Sequence, residues 1–231
     1  MRIVILTLAV AGLAITFHAP LIGFVLVAPL LLALLHPSVQ WLGPVMTHFP
    51  TDAKEVWLTI DDGPTNDTHA LLDLLDRLDV RATFFVKGIL ATAHRERVDE
   101  ILGRGHAVAN HSHTHPSGTF WCLPPGAVAR EIDRCNAAIP QTTYFRSPVG
   151  FKNIFLHPIL RKRGMTLVGF SARAFDAVER DPNVIASRIT KSLEPGAIVV
   201  LHQGREWSLR AIETTIGAIR ERGYSFRNTN K

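Results

Sequence analysis

Hydrophobic and polar positions divide the 231-residue chain into two unequal regions. From Ile3 to Thr51 the sequence contains no Asp, Glu, Lys or Arg and is rich in Leu, Val, Ala and Ile. From Asp52 onward, short apolar runs alternate with longer amphipathic stretches that carry ordinary charge. This change predicts an apolar N-terminal segment followed by one soluble domain that is large enough to bury a core.

The region after Asp52 alternates between two periodicities. Strands are predicted for seven short runs, namely VWLTI, VRATFFV, HAVAN, TTYF, MTLVGF, AIVVL and YSF. The stretches between them are amphipathic, as in DTHALLDLLDRLD, where four leucines share one helical face. Such alternation favours parallel strands joined by right-handed helical crossovers. Without a glycine-rich phosphate loop, the pattern predicts a closed or nearly closed α/β barrel rather than a doubly wound sheet.

The apolar N-terminal region is interrupted at residues 18–20, which separate two runs, 3–17 and 21–35. A membrane-spanning helix needs about 20 apolar residues, so each run alone is short. One interrupted span, a hairpin of two short spans, a signal peptide followed by a second segment, and an apolar hairpin buried in the domain all remain open. We favour a membrane anchor, a linker and a separate domain, covering residues 1–36, 37–54 and 55–231.

Charge near the predicted anchor is limited to Arg2 and the amino terminus, so it does not determine which side the domain occupies. We expect anchorage in a bacterial-type inner membrane, with the domain on either side. The formal net charge is +5. We attribute it to solvated arginines on helix faces rather than to a surface that attracts an anionic membrane or glycan. No basic run is interleaved with aromatic residues, so nucleic acid is not an expected partner. Cys122 and Cys135 fit no metal spacing, and unpaired thiols are expected unless the domain is periplasmic.

Ionisable residues follow five of the predicted strands, at the ends where α/β barrels carry their chemistry. They lie in the segments TIDDGP, HSHTHP, FRSPVGF, SARAFDA and LHQG. The residues concerned are Asp61, Asp62, His111, His115, Arg146, Arg173, Asp176 and His202. Taken singly, each also has a structural interpretation, such as a turn, a surface ion pair or a core histidine.

His111 and His115 are four residues apart, a spacing that places both imidazoles on one side of a helical turn. With a carboxylate from a neighbouring strand end they would form a two-histidine, one-carboxylate metal site with open positions for water and substrate. These ligands suit Zn²⁺, with Co²⁺, Ni²⁺, Mn²⁺ or Fe²⁺ as alternatives. A cation also explains why two aspartates are adjacent, because one can be a ligand while the other stays ionised as a base.

In order and spacing, the motifs TIDDGP, HSHTH and RSPVG resemble those of the NodB-homology polysaccharide deacetylases, carbohydrate esterase family 4. LHQG is similar to the family's motif that contains the catalytic histidine, and the resemblance extends from about Glu55 to Phe226. It implies a distorted (β/α)7 barrel. It also implies a metal-dependent hydrolase that removes N-acetyl groups from an amino-sugar polysaccharide or oligosaccharide, with an N-acylated glycan or glycolipid as substrate.

Carried over by position, the resemblance implies three metal ligands: Asp62, His111 and His115. It implies that Asp61 is the general base and His202 the general acid. Arg146 would position Asp61, and Asp176 would tune His202. The backbone amide of Val149 would help to stabilise the tetrahedral oxyanion.

The segment FSARAFDA departs from the family's fourth motif, which usually ends in Asp-Trp. Asp176 retains the aspartate, but Arg173 replaces an acidic residue and Ala177 replaces the tryptophan that walls the acetyl pocket. Candidate replacements for that wall are Phe170, Phe175 and Trp207. Arg173 would either bind an anionic group or pair with Asp176. The alternative hypotheses are a deacetylase or deformylase of a polyprenyl-phosphate sugar and a catalytically inactive glycan-binding protein, against which the complete residue set argues.

Overall fold

The structure, a computed structural model, describes residues 20–227. The strands within this range are β1 (Glu55–Gly63), β2 (Thr83–Val86), β3 (Ala107–Asn110), β4 (Tyr144–Phe145), β5 (Thr166–Leu167), β6 (Ala172–Arg173), β7 (Ile198–His202) and β8 (Ser225–Phe226). The α-helices are α1 (Pro20–Leu35), α2 (Thr68–Arg77), α3 (Gly88–Ala93), α4 (Arg95–Gly103), α5 (Pro125–Asn136), α6 (Leu156–Arg161), α7 (Pro182–Thr190) and α8 (Ser208–Glu221).

The strands form one sheet in the order β5-β4-β3-β2-β1-β7-β6, and β8 pairs with the start of β1. Each of these ladders is parallel. Helical crossovers connect most of the strands, which confirms the predicted α/β class. Because the strands are parallel, their carboxyl ends meet at one edge of the sheet, where ligands are bound in folds of this kind.

The sheet curls but does not close, which corrects the prediction of a closed or nearly closed barrel. Within residues 20–227 no ladder joins β5 to β6. The opening is crossed by an extended segment in which Met46 bridges Val168 and His48 bridges Ala197. β4, β5 and β6 have two residues each, which is too short to complete a ring of ladders. The architecture is therefore a curled half-barrel.

β6 is a strand that the sequence pattern missed. Gly169 and Ser171 interrupt the apolar run here, so period-two alternation is too short to recognise. In the fold, Ala172 and Arg173 pair with Val199 and Val200 of β7. This pairing brings the divergent fourth motif to the same sheet edge as the other motifs.

Alternation along β1 explains how one strand serves both the core and the site. Val56, Leu58 and Ile60 are buried in the cluster that the helices cover. Trp57 belongs to the smaller cluster on the concave face, where its Nε1 donates a hydrogen bond to Thr83 Oγ1 at 2.8 Å. Successive side chains of a strand point to opposite faces. Every second residue of β1 after Trp57, ending with Asp61, therefore points to the same concave face.

The end of α1 is attached to the domain. The Lys152 backbone N–H donates to Leu34 O at 2.7 Å, and its Nζ donates to His36 O and, at 3.2 Å, to Pro37 O. Leu34 is buried with Ala33 and Leu42 in a small apolar cluster. Within the described residues no helix has the length and apolar character needed to cross a membrane. Much of the predicted anchor, residues 1–19, lies outside the described residues, and the predicted domain boundaries stay predictions.

Candidate active site

One cavity of about 400 Å³ opens at the carboxyl edge of the sheet. The predicted site residues that line it are Asp61, Asp62, His111, His115, Val149 and His202. The other two, Arg146 and Asp176, are buried behind the cavity wall and contact residues that line it. The parallel register explains the convergence, because Asp61 lies beside Phe85 of β2 and His202 of β7.

Asp61 and Asp62 both reach the cavity because β1 is irregular at its end. The pairing with β2 shifts between Asp61 and Gly63, and Asp62 has a φ of 77°. A bulge with a left-handed residue turns a side chain that would otherwise point to the opposite face. Gly63 is required next, since a Cβ there would lie 1.8 Å from Gln203 Nε2. The strained turn thus provides two neighbouring carboxylates on one side.

Asp61 is held by a fully buried arginine. Arg146 Nη1 donates to Asp61 Oδ1 at 2.6 Å and to Thr59 Oγ1 at 2.8 Å, and Nη2 donates to Gly169 O at 2.8 Å. The guanidinium also stacks on the Phe85 ring, 4.1 Å from its centroid. Burial lowers the pKa of Arg146. The second oxygen, Asp61 Oδ2, lies 3.7 Å from His111 Nε2, so this carboxylate has one fixed oxygen and one that faces the histidine cluster.

Three candidate ligand atoms, one each from Asp62, His111 and His115, lie within 4.8 Å of one another. Asp62 Oδ1 is 3.6 Å from His115 Nε2 and 4.0 Å from His111 Nε2. His111 Nδ1 lies 2.9 Å from Arg146 O, and a proton donated there leaves the Nε2 lone pair for a metal. Burial lowers the pKa of His111, and burial together with His111 lowers the pKa of His115 to about 3. Both imidazoles are therefore neutral, as metal ligation requires.

This cluster fits a divalent cation. Tetrahedral ligands that are each about 2.0 to 2.2 Å from one ion lie about 3.3 to 3.6 Å apart. The spacing of 3.6 Å between Asp62 Oδ1 and His115 Nε2 matches this value, and the spacing of 4.0 Å to His111 Nε2 is slightly longer. Asp62 Oδ1 is buried without a hydrogen bond, although Lys87 Nζ lies 3.0 Å away. Burial raises the pKa of Asp62, but electrostatic interactions with its basic neighbours, among them the ammonium group of Lys87, outweigh burial and lower the pKa. Asp62 is therefore an ionised candidate ligand with an unused acceptor.

The two histidines do not lie on a helical turn, so that part of the prediction is wrong. HSHTH forms a loop after β3 in which Ser112 and His115 have φ values of 64° and 57°. Glu131 fixes this loop by accepting hydrogen bonds from the backbone N–H groups of His113 and Thr114 at 2.9 and 2.8 Å. The loop still brings the two imidazoles together, with ring centroids 4.7 Å apart.

His202, which is partly buried, and the buried Asp176 form a second pair on the opposite side of the cavity. Asp176 Oδ1 lies 2.9 Å from His202 Nδ1, and Asp176 Oδ2 accepts the His202 backbone N–H at 2.7 Å. Burial opposes protonation of His202, but the hydrogen bond and charge of Asp176 outweigh it and raise the pKa. An imidazole with a raised pKa and one ring nitrogen fixed by a carboxylate is suited to donate a proton from the other nitrogen.

The remaining lining includes a strained loop and an apolar wall. Val149 has a φ of 51°, a left-handed conformation that is costly for a β-branched residue and typical of functional sites. Ala177 lines the cavity where the resembling family has tryptophan, and Phe170 and Phe175 line it too. Trp207 instead donates its Nε1–H to Asp176 O at 2.8 Å, so it supports Asp176.

Sequence reasoning missed Lys87 and Arg205, which also line the cavity. Lys87 directly follows β2, so the same reasoning about strand ends applied to the segment FFVKG would have found it. Arg205 follows LHQG in a loop and carries no comparable signal. The two cysteines are unpaired, with Cys122 exposed and Cys135 buried.

Comparisons with known proteins agree with this geometry. A family model described as polysaccharide deacetylase matches residues 48–168. A chitooligosaccharide deacetylase from Rhizobium leguminosarum bv. trifolii is 32% identical over 199 residues, covering 77% of this chain and 91% of that protein. A peptidoglycan-N-acetylglucosamine deacetylase from Listeria monocytogenes is 30% identical over 179 residues, covering 75% of this chain. The chain spans only 37% of the length of that larger protein.

Solved structures with the same fold include active and inactive proteins. A family 4 carbohydrate esterase from Streptomyces lividans, in complex with acetate, has a TM-score of 0.69 and 30% identity, covering 74% of this chain and 91% of that one. A family 4 pseudoenzyme from Bacillus anthracis has a TM-score of 0.72 and 26% identity, covering 81% and 68%. Fold alone therefore does not establish activity. The family model and the 32% identical relative do establish descent, and this chain belongs to the polysaccharide deacetylase family.

Proposed function

We propose that this protein is a metal-dependent hydrolase that removes N-acetyl groups from an amino-sugar polysaccharide or oligosaccharide. The observation that supports it most strongly is the placement of a buried Asp61–Arg146 pair and a partly buried His202–Asp176 pair at the same cavity as the Asp62 cluster. Such an arrangement offers a base and an acid on either side of one electrophile.

Asp62, His111 and His115 are the residues proposed to hold the metal, and Zn²⁺ suits two imidazoles and a carboxylate. When bound, the ion supplies Lewis-acid polarisation of the amide carbonyl and makes water more acidic. Lys87, 3.0 Å from Asp62 Oδ1, keeps that carboxylate ionised. Co²⁺, Ni²⁺, Mn²⁺ and Fe²⁺ accept the same ligands.

Asp61 is the proposed general base. Arg146 fixes its Oδ1, so Oδ2 is the oxygen that takes a proton as the water oxygen forms a bond to the carbonyl carbon. The N–H of Val149 is the proposed donor to the developing oxyanion. The rigid Arg146 contacts hold the base in one orientation during attack, which lowers the entropic cost of the step.

His202 is the proposed general acid. As the carbon–nitrogen bond breaks, His202 transfers its proton to the departing amine. The proton taken by Asp61 then passes to His202, which restores the starting state of both groups. Asp176 keeps the imidazole protonated and in one tautomer. The balance is one amide and one water consumed, and one amine and one acetic acid formed, which become an ammonium and an acetate ion by transfer of one proton.

The curated relatives are described as acting on chitooligosaccharides and on peptidoglycan N-acetylglucosamine. The apolar side chains of Phe170 and Phe175 in this cavity suit an acetyl methyl group, and the cavity holds about one sugar unit. The proposal is tested by acetate release from N-acetylglucosamine oligomers with the metal-loaded protein. Release that stops on chelation and returns with Zn²⁺ supports it, and release that persists without metal contradicts it.

A lipid-linked, polyprenyl-phosphate sugar is the second candidate substrate, with deacetylation or deformylation as the reaction. It is favoured by the position of α1, whose apolar end is bound by Lys152, three residues after Val149 at the cavity. A membrane at α1 would bring lipid-linked sugars near this opening. Incubation with lipid-linked and free N-acylated oligosaccharides separates the two candidates. Carbonate extraction of membranes containing the full chain tests the proposed anchorage, because an anchored chain stays in the pellet.

A further inference from the structure

Arg173 is a cation in the active-site cavity for which the proposed chemistry has no use. It ends β6, lines the cavity and is half-buried. Its guanidinium carbon lies 4.3 Å from the centroid of the Phe175 ring and 5.3 Å from that of Phe170. Two aromatic rings thus hold the guanidinium plane while leaving its N–H donors uncommitted.

Within residues 20–227, the Arg173 side chain makes no hydrogen bond and no ion pair. Pairing with Asp176, one interpretation of the sequence, does not occur, because both Asp176 oxygens bind His202. Two other partly buried arginines differ, since Arg104 and Arg163 each have a carboxylate oxygen 2.6 Å away.

The unused guanidinium is held in place at a cost. Burial lowers the pKa of Arg173 and outweighs the opposing charges of Asp176 and Asp61, which means that its charge is partly desolvated. Phe175 has a φ of 59°, a strained conformation that presents its ring to Arg173. Strain and desolvation at one cavity position are typical of a group arranged for a ligand.

The surrounding charge favours an anion at Arg173. The carboxylate of Asp61 is paired with Arg146, and that of Asp62 belongs to the metal cluster and lies near Lys87. Arg205 lines the same cavity with an exposed side chain and supplies a second positive charge. A negative group that enters beside Arg173 would therefore meet two guanidinium groups, those of Arg173 and Arg205, that form no direct ion pair with any carboxylate of residues 20–227.

We propose that Arg173, whose guanidinium lies over the rings of Phe170 and Phe175, binds an anionic group of the substrate, a phosphate ester or a carboxylate, next to the N-acylated sugar. This inference rests on the proposed function, since it assigns a substrate class to the same cavity. A planar guanidinium binds either group through two parallel hydrogen bonds. The anion has two sources, the phosphate that links a sugar to a lipid or a carboxylate on an acidic sugar.

The experiment measures binding to the metal-loaded full chain by calorimetry. The probes are N-acetylglucosamine, N-acetylglucosamine 1-phosphate and N-acetylmuramic acid, which carry no charge, a phosphate and a carboxylate. We expect at least one anionic probe to bind about tenfold or more tightly than the neutral sugar. Arg173→Gln should abolish this preference, and Arg173→Lys should retain part of it. The tighter anionic probe identifies the source of the anion.

Arg180→Gln is the matched control, because Arg180 also stacks on an aromatic ring, 5.2 Å from the Trp207 centroid, but does not line the cavity. It should retain the preference. Equal affinity of the unmodified protein for all three probes would overturn the inference, as would a preference that survives Arg173→Gln, since the metal would then be binding the anion. If the protein releases no acetate from N-acetylglucosamine oligomers, the proposed function is contradicted. The binding results still test the role of Arg173, because calorimetry does not require turnover.

Discussion

The two sides of the cavity differ in how their polar side chains are supported. At the ends of β1, β3 and β4, Asp61, His111 and Arg146 are buried and hydrogen-bonded or ion-paired. On the side of β6, Phe175 and Val178 are 51% and 75% exposed, and Arg173 has no polar partner within the described residues. In the proposed function, the first side carries out the reaction and the second selects the substrate, because chemistry needs fixed geometry whereas recognition needs uncommitted groups.

The largest effect on activity should come from a substitution on the buried side of the cavity, at the ends of β1, β3 and β4. Asp61→Asn keeps the size of the side chain but cannot accept a proton as a base, so we expect kcat to fall by about 10²- to 10⁴-fold. Metal content, measured by elemental analysis, should not change, because Asp61 is not a proposed ligand. Asp79→Asn, at an exposed turn after α2 with a φ of 47°, is the control and should retain full activity. An active Asp61→Asn protein would refute the base assignment.

Loss of a metal ligand should produce a comparable loss of activity for a different reason. His115→Ala removes one of three ligands, so bound Zn²⁺ should fall well below one ion per chain and activity should fall with it. His113→Ala is the matched control, because His113 lies in the same loop but does not line the cavity. If His115→Ala binds metal as tightly as the unmodified protein does, the ligand assignment is wrong.

The next effect is a shift in pH dependence. The hydrogen bond and charge of Asp176 hold the pKa of His202 above its ordinary value, so the protonated acid persists to higher pH. Asp176→Asn removes that charge, the pKa of His202 falls, and the alkaline limb of the pH–rate profile should move to lower pH. The measurement is kcat/KM across pH 5 to 10. An alkaline limb that stays in place would show that His202 does not control it.

The smallest effect on activity should come from a substitution on the β6 side of the cavity. Val178→Ser changes a largely exposed side chain, so the free energy of unfolding should change by no more than about 0.5 kcal/mol. We expect KM to rise by only a few fold and kcat to stay nearly constant, because no fixed geometry depends on this residue. Thermal unfolding and steady-state kinetics check both values. A large fall in kcat would show that the two sides are not functionally distinct.

The buried side was also the side that the sequence predicted well. Strand alternation and the position of polar residues at strand ends located Asp61, Asp62 and the histidine loop without coordinates, and the same reasoning located His202 at the end of β7. The loop conformation around His115 was not predictable, since it depends on Glu131 of α5 and on left-handed backbone at Ser112. The open sheet was missed because two-residue strands carry no periodicity.

On the β6 side of the cavity, the sequence showed that the fourth motif is divergent at Arg173 but not which groups Arg173 contacts. The fourth motif was recognised as divergent, yet only the fold excludes a pair between Arg173 and Asp176, because His202 occupies that carboxylate. Stacking on Phe175 depends on a left-handed backbone at a non-glycine residue, which no local pattern signals. Contacts that depend on the tertiary fold were therefore the ones that sequence alone could not provide.

Anomalous X-ray diffraction from crystals of the Zn²⁺-loaded protein tests the central claim most directly. We predict one ion about 2.0 to 2.2 Å from Asp62 Oδ1 and from Nε2 of His111 and His115. Asp61 should lie beside the ion without coordinating it, and His202 should face it from the other side. An ion bound elsewhere, or one coordinated by Asp61 in place of Asp62, would contradict the account.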